Sequence, residues 1–261
     1  MKKSTIGVLG VGEVGKAISQ IFAKRFTVLK KDLVFDEIKN AKLNVLHVCI
    51  PYSEKFTNHV VRQIKKNKPD LVIIHSTVHP GTTMEIFNKT STLIVHSPIM
   101  GSHPNLAKDL LIFTKIIGPT DKRSVTLAAK HLQKVGIKTV VFNNSFESEI
   151  GKLFDTAYYA WNIIFSKIVW NICQDKALNF DNVYTRLNEI YNLGYQKSKP
   201  NVIRPVLKYQ SGPIGGHCLI TNTQMLEESN PSIVTKIIIE ENKHSLRPSG
   251  LKHSFSTNKK F

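Results

Sequence analysis

The chain opens on an apolar run, TIGVLG at 5–10, that ends in glycine. The segment after it, EVGKAISQIFAKR, spaces Val14, Ala17, Ile18 and Ile21 at helical intervals. This predicts a strand, a glycine turn and a helix. Apolar, β-branched runs recur at FTVLKKD (26–32), NVLHVCIP (44–51), DLVIIHST (70–77), STLIVHSP (91–98) and KTVVFN (138–143), separated by helical segments such as SEKFTNHVVRQIKKN. Such alternation predicts an α/β fold, with βαβ units building a Rossmann-type, doubly wound and mostly parallel sheet over residues 1–143.

The rhythm changes at NNSFESEIGKLFDTAYYAWNIIFSKIVWNICQDK (143–176), where Asn144 and Glu147 have capping-box spacing. One long helix is expected, with Ile150, Leu153, Phe154, Ala157, Trp161, Ile164, Phe165, Ile168 and Ile172 forming a wide buried stripe. A helix this long and apolar implies packing beyond its own Rossmann domain. With a second helical segment at about 180–193, the glycine-rich loop SGPIGGHCL (211–219) and a helix within NPSIVTKIIIEENKH (230–244), it predicts a helical dimerisation region over 144–245 and a homodimer. Residues 246–261 have no apolar period and no acidic residue, so they read as a disordered basic tail.

Composition narrows the setting. The three cysteines, Cys49, Cys173 and Cys218, are odd in number and widely separated. That suits neither a disulfide framework nor a metal site, and it points to a reducing, cytoplasmic compartment. The apolar start is interrupted by Gly10, Gly12, Glu13 and Gly15, and no later run is apolar for the roughly eighteen residues of a membrane span, so neither secretion nor a membrane partner is expected. The net charge of +17 comes mostly from lysines scattered without interleaved aromatics. This describes a solvated surface rather than a nucleic-acid face.

The chemistry begins at GVGEVG (10–15), a G-x-G-x-x-G pattern between a predicted strand and a predicted helix. Gly10 permits the tight turn, Gly12 lets a pyrophosphate approach the backbone, and Gly15 allows close helix–sheet packing at a helix N-terminus that faces the anion. Asp32, near the end of the second strand, is placed to accept hydrogen bonds from adenosine ribose hydroxyls and to repel a 2′-phosphate. NAD is therefore favoured over NADP, although Lys30 and Lys31 pull the other way.

VIIHSTVHPGTT (72–83) resembles the signature of the UDP-glucose/GDP-mannose dehydrogenase family, and HVCIP (47–51), SEIGKL (148–153) and GGHCL (215–219) agree with that family in order. The resemblance covers roughly residues 4–244. It implies cofactor contacts at Gly10, Gly12, Glu13, Val14, Gly15, Asp32, Pro51 and Thr77. It also implies catalytic roles for Thr77, Lys152 and Cys218, and substrate contacts at Arg204, Thr156 and Asn222. The implied reaction oxidises a sugar C6 alcohol with two NAD, by way of a thiohemiacetal and a thioester on the cysteine. Glycines at 215 and 216 would let the backbone approach substrate, and His217 would favour the thiolate.

Several positions depart from the family. Its aspartate four residues after the cysteine is Asn222, the lysine before that is Thr221, its glutamate after S-P is Ile99, and its asparagine one turn after the lysine is Thr156. The chain also stops where the family continues into a third, nucleotide-binding domain. The sequence thus predicts a dehydrogenase of an alcohol or aldehyde, its small-molecule substrate sugar-derived or otherwise, with thioester hydrolysis impaired. Two other readings stay open: a small 3-hydroxyacid-type dehydrogenase using Lys152 alone, and a catalytically silent NAD-binding or assembly protein.

Overall fold

The computed structural model of the chain describes residues 4–101, 104–216 and 218–245. The expected tail at 246–261 and the role expected of His217 therefore lie outside the described residues. The chain divides into two compact units, one up to Leu153 and one from Phe154 onward.

In the first unit, β1 (Thr5–Leu9), α1 (Glu13–Phe22), β2 (Thr27–Lys31), β3 (Val45–Val48), α2 (Phe56–Asn67), β4 (Leu71–Ile74), α3 (Thr82–Thr90) and β5 (Ile94–His96) alternate as the apolar pattern predicts. α4 (Leu106–Ile112), β6 (Lys115–Pro119), α5 (Lys122–Gln133) and β7 (Thr139–Val141) follow. The sheet has seven strands in the order β2-β1-β3-β4-β5-β6-β7. All neighbours are parallel except β5 and β6, whose register pairs Val95 with Pro119 and His96 with Gly118. The mostly parallel α/β sheet is as expected, but β6 is a strand that the run of apolar segments does not announce.

Strand side chains alternate between the two faces. Ile6, Val8, Val45, Ile73 and Val95 pack with Ile18 and Phe22 of α1, Leu106 and Leu110 of α4, and Ala128 and Leu132 of α5. Leu9, Leu46, Val48, Val72, Ile74 and Ile94 pack with Phe56, Val60 and Ile64 of α2 and Ile86 of α3. Both faces are covered, which is why β3 and β4 are buried at every position and read as unbroken apolar runs. The exception is His47 in β3. Its Nδ1 lies 2.9 Å from His75 Nε2 and its Nε2 lies 2.9 Å from His131 Nε2, while His75 Nδ1 lies 3.1 Å from the carbonyl oxygen of Ser97. Burial holds all three imidazoles below their ordinary basicity, so they are neutral. A carbonyl only accepts, so His75 must donate from Nδ1. His47 then donates from Nδ1 to His75, and His131 donates from Nε2 to His47.

The long helix forms as expected, as α6 (Ser145–Asp175). Asn144 Oδ1 accepts from Glu147 N at 2.9 Å, and the Glu147 carboxylate returns to the backbone of Asn143, at 2.9 Å, as well as to its side chain. The unit division falls within this helix, whereas the sequence places the change of character at residue 144.

The second unit contains the rest of α6, a π-helical turn (Asp181–Arg186) running into α7 (Leu187–Tyr195), then α8 (Cys218–Ser229) and α9 (Ile233–His244). Ser232 and Thr235 cap α9 reciprocally. One cluster joins Ala160, Ile164, Ile214 and Ile238, and another joins Cys173, Phe180 and Tyr184 with Trp170 and Tyr209 packed against it. The expected buried stripe on α6 needs correction. Leu153, Ala157 and Ile164 are buried, but Phe154, Phe165 and Ile172 are 54%, 47% and 47% exposed. Helical period marks these residues as apolar without saying whether anything in the same chain covers them.

Candidate functional site

The glycine turn stands at the carboxyl end of β1. Gly10 has φ +88°, and a Cβ there would meet Ile50 at 2.8 Å and the Cys49 carbonyl at 2.9 Å; a Cβ on Gly15 would lie 1.9 Å from the Gly10 oxygen. These two glycines answer to packing. Gly12 differs: a Cβ built there meets nothing within 4 Å, and Gly12 is the N-cap of α1. Its exposed backbone faces open space at a helix N-terminus, with Glu13 and Val14 opening the first turn. An approaching anion finds N–H groups and a positive dipole end there.

Asp32 lies beside this turn. One carboxylate oxygen accepts from Val11 N at 2.5 Å and the other from Leu33 N at 2.8 Å. The bond from Val11, then that from Leu33, holds the carboxyl below the usual range and keeps it ionised. A carboxylate has roughly four lone-pair sites, so acceptor capacity remains for ribose hydroxyls. Lys31 is engaged elsewhere, in an ion pair with Asp36.

The neighbouring strand ends converge on the same edge. Ser76 Oγ donates to Ile50 O at 2.6 Å, fastening the loop that carries half-buried Thr77 to the one that carries exposed Pro51. Behind Thr77, the P-G-T-T turn is anchored by Glu149 of α6. The Glu149 carboxylate accepts from Gly81 N at 2.6 Å, Thr83 N at 2.8 Å and Thr83 Oγ1 at 2.5 Å. Burial raises the affinity of Glu149 for a proton, and these donors oppose that.

One turn beyond Glu149, half-buried Lys152 stands in a basic neighbourhood. His96 Nε2 donates to the Ser76 carbonyl at 3.2 Å and its Nδ1 lies 2.8 Å from Ser148 Oγ; burial first, then the charges of Lys115 and Lys152, outweigh the Ser76 bond and leave its pKa at about 3. Lys115 of β6 is 4% exposed and donates to the carbonyls of Ser97 (2.5 Å) and Pro98 (2.9 Å). Burial pushes Lys115 down to about 7, and burial pushes the nearby Cys49 thiol up to about 12. Neither Lys115 nor His96 stands out in the sequence as a site residue; both sit within or beside apolar runs. Ile99, where the family has glutamate, packs against the apolar core.

In the second unit the glycine loop ends where α8 begins, at Cys218, whose thiol is exposed; Cys173 is buried. Gly216 is left-handed, with φ +78°, and a Cβ on Gly215 or Gly216 would meet nothing within 4 Å. Asn222, one turn into α8, is buried, as is Thr156 on α6, while Thr221 is exposed. The exposed guanidinium of Arg204 lies over the Tyr191 ring at 3.5 Å, and its backbone exchanges two hydrogen bonds of 2.9 Å with the Asn192 side chain. The structure therefore groups Gly10–Gly15, Asp32, Pro51, Thr77 and Lys152 in the first unit, and Thr156, Arg204, Cys218 and Asn222 in the second. Among the described residues no cluster of His, Cys, Asp or Glu is arranged to hold a metal ion, and no helix is long and apolar enough to cross a membrane.

No protein-family model matches the chain. A UDP-N-acetyl-D-mannosamine dehydrogenase of Methanocaldococcus jannaschii is 23% identical over 253 residues, covering 85% of this chain and 56% of that protein. The chain thus spans a little over half the length of this curated relative. Among solved structures, a UDP-D-ManNAc dehydrogenase of Pyrococcus horikoshii superposes with a TM-score of 0.78 at 19% identity, over 92% of this chain and 68% of that one. A 3-hydroxyisobutyrate dehydrogenase of Mycobacterium tuberculosis has the same fold with a TM-score of 0.69 at 15% identity, over 94% of both chains.

Proposed function

We propose that this chain, a relative of the nucleotide-sugar dehydrogenases in sequence and in fold, is an NAD-dependent dehydrogenase that oxidises an alcohol or aldehyde with Lys152 and Cys218 as its reacting groups. The observation that carries the reading is the open backbone at Gly12 beside an ionised Asp32. It fits a dinucleotide: the α1 N-terminus takes the pyrophosphate, Asp32 takes the ribose hydroxyls, and its charge opposes a 2′-phosphate. The pairing of Lys31 with Asp36 removes one competing cation and favours NAD.

NAD, when bound, supplies the hydride acceptor. The chain supplies the rest. The Cys218 thiolate adds to an aldehyde carbon, and the ammonium of Lys152 stabilises the oxyanion of the resulting thiohemiacetal. Loss of hydride from that adduct leaves a thioester on Cys218. Release then needs a water molecule and a group that takes its proton, and Asn222 has no such capacity at neutral pH. The chain accordingly forms the thioester faster than it hydrolyses it.

The near-complete overlap with the 3-hydroxyisobutyrate dehydrogenase supports a second reading, a small hydroxyacid dehydrogenase that uses Lys152 and has no need of Cys218. Calorimetry with NAD and NADP, followed by NADH formation with nucleotide sugars, their aldehydes and 3-hydroxy acids, separates the readings. NAD binding with oxidation of a sugar aldehyde supports the first. Turnover of a 3-hydroxy acid that survives Cys218→Ser supports the second. Absence of NAD binding rejects both.

A further inference from the structure

We infer that Lys167 is a positioning residue for Cys218, fixing the backbone that leads into the thiol. The inference rests on the role proposed for Cys218 above. Lysine is seldom buried, because its ammonium loses water, yet Lys167 is only 7% exposed. From α6 it donates to the carbonyl oxygens of Gln210, at 2.7 Å, and Gly212. The loop it grips is one that glycine makes permissive, with left-handed turns at Gly212 (φ +79°) and Gly216 (φ +78°).

The remaining anchors come from the same surface. Tyr209 stacks on Trp170 at 4.0 Å between ring centroids. Ile214 buries its side chain against Ala160, Ile164 and Ile238, and its N–H donates to Asn242 Oδ1 of α9 at 2.7 Å. Ile164, Lys167 and Trp170 recur every three residues along α6, so one helix face presents an apolar contact, a cation and an aromatic platform to successive loop positions. Beyond Ile214 the glycine pair is uncovered, and α8 begins at Cys218 with Leu219 and Ile220 against the same cluster. Apolar contacts hold the ends of the segment. The polar grip of Lys167 fixes its path, because one ammonium bonds carbonyls two residues apart and no apolar side chain does so.

The test compares the full chain with Lys167→Met, which keeps length and removes the donors, and Lys167→Arg, which keeps them. Lys167→Gln serves as the milder variant if Lys167→Met does not fold. Hydrogen exchange is followed in peptides spanning 209–220, and iodoacetamide labelling is mapped to each cysteine. Loss of the grip is expected to speed exchange in that segment by about tenfold or more and to speed labelling of Cys218 several-fold, with buried Cys173 still protected and NAD affinity unchanged. Arginine restores both within about twofold. Equal exchange and labelling in wild type and Lys167→Met would overturn the inference, as would a labelling increase at Cys173 matching that at Cys218, which is global loosening. If the wild type forms no NADH with any aldehyde, the proposed function fails while the exchange and labelling results still decide the role of Lys167 in the loop.

Discussion

Glu149 holds Thr83 twice, through the backbone N–H and through the hydroxyl, and its other oxygen takes the N–H of Gly81. Every contact donates into the carboxylate. The second turn of α6, three residues before Lys152, is thereby fixed to the start of α3, and the P-G-T-T turn acquires a structural reason for its threonine. Glu149→Gln removes a buried charge but turns an NH2 group toward a donor. We expect a loss on the order of 2 kcal/mol in urea unfolding. A variant as stable as the wild type would mean that the carboxylate is not the acceptor the geometry describes.

The buried histidines make the first unit acid-sensitive. His47 and His75 are held well below the ordinary value, and His96 and His131 at about 3, in each case mainly by burial. A depressed folded-state pKa contributes stability that is present above the unfolded value and is lost as pH falls toward the folded one. The window therefore runs from about 6.5 to about 3, with a loss on the order of 1 kcal/mol per histidine per pH unit at its upper end. Unfolding midpoints measured from pH 8 to 5 should be flat above about 7 and fall steeply below. A profile without that fall would contradict the neutral chain, as would 15N spectra lacking the Nδ1–H tautomers of His47 and His75.

Gly12 and Gly15 should separate binding from folding. Gly12→Leu projects into open space and is expected to abolish NAD binding at unchanged melting temperature, whereas Gly15→Ala sets a Cβ 1.9 Å from the Gly10 oxygen and should destabilise the fold. Calorimetry and thermal melts check both. Retained NAD affinity in Gly12→Leu would place the cofactor elsewhere.

The exposed apolar side chains of the second unit bear on assembly. Phe154, Tyr158 and Phe165 of α6 and Leu187, Ile190 and Leu193 of α7 are 47–73% exposed. A homodimer is proposed to cover them, since large apolar side chains left exposed along two helices suit an interface. Light scattering should give a dimer for the wild type, and Ile190→Glu with Leu193→Glu should shift it toward monomer. A monomeric wild type at micromolar concentration would count against this.

The sequence reveals most of the sheet because strands covered on both faces must be apolar throughout, as β3 and β4 are. β6 escapes the pattern because it starts at Lys115, whose charge reads as surface while its ammonium is buried on the Ser97 and Pro98 carbonyls. The glycine turn is legible because its spacing encodes geometry directly. The bonds of Asp32 to Val11 and of Glu149 to Thr83 are not, because they join residues far apart in the chain. Cys218 reads as part of a turn, yet it begins α8; with His217 and a glycine pair before it, no local cap signal marks the helix start.

On the proposed function, Cys218 becomes acylated in an NAD-dependent oxidation. Protein, NAD and a nucleotide-sugar 6-aldehyde are mixed in a single-turnover experiment that reads NADH absorbance and the mass of the cysteine-bearing peptide. The expected result is a burst approaching one NADH per chain and an acyl adduct on Cys218, with the adduct lost in Cys218→Ser and the burst slowed by about a hundredfold or more in Lys152→Ala. Sustained turnover without an adduct, or NADH formation that survives Cys218→Ser, would contradict it.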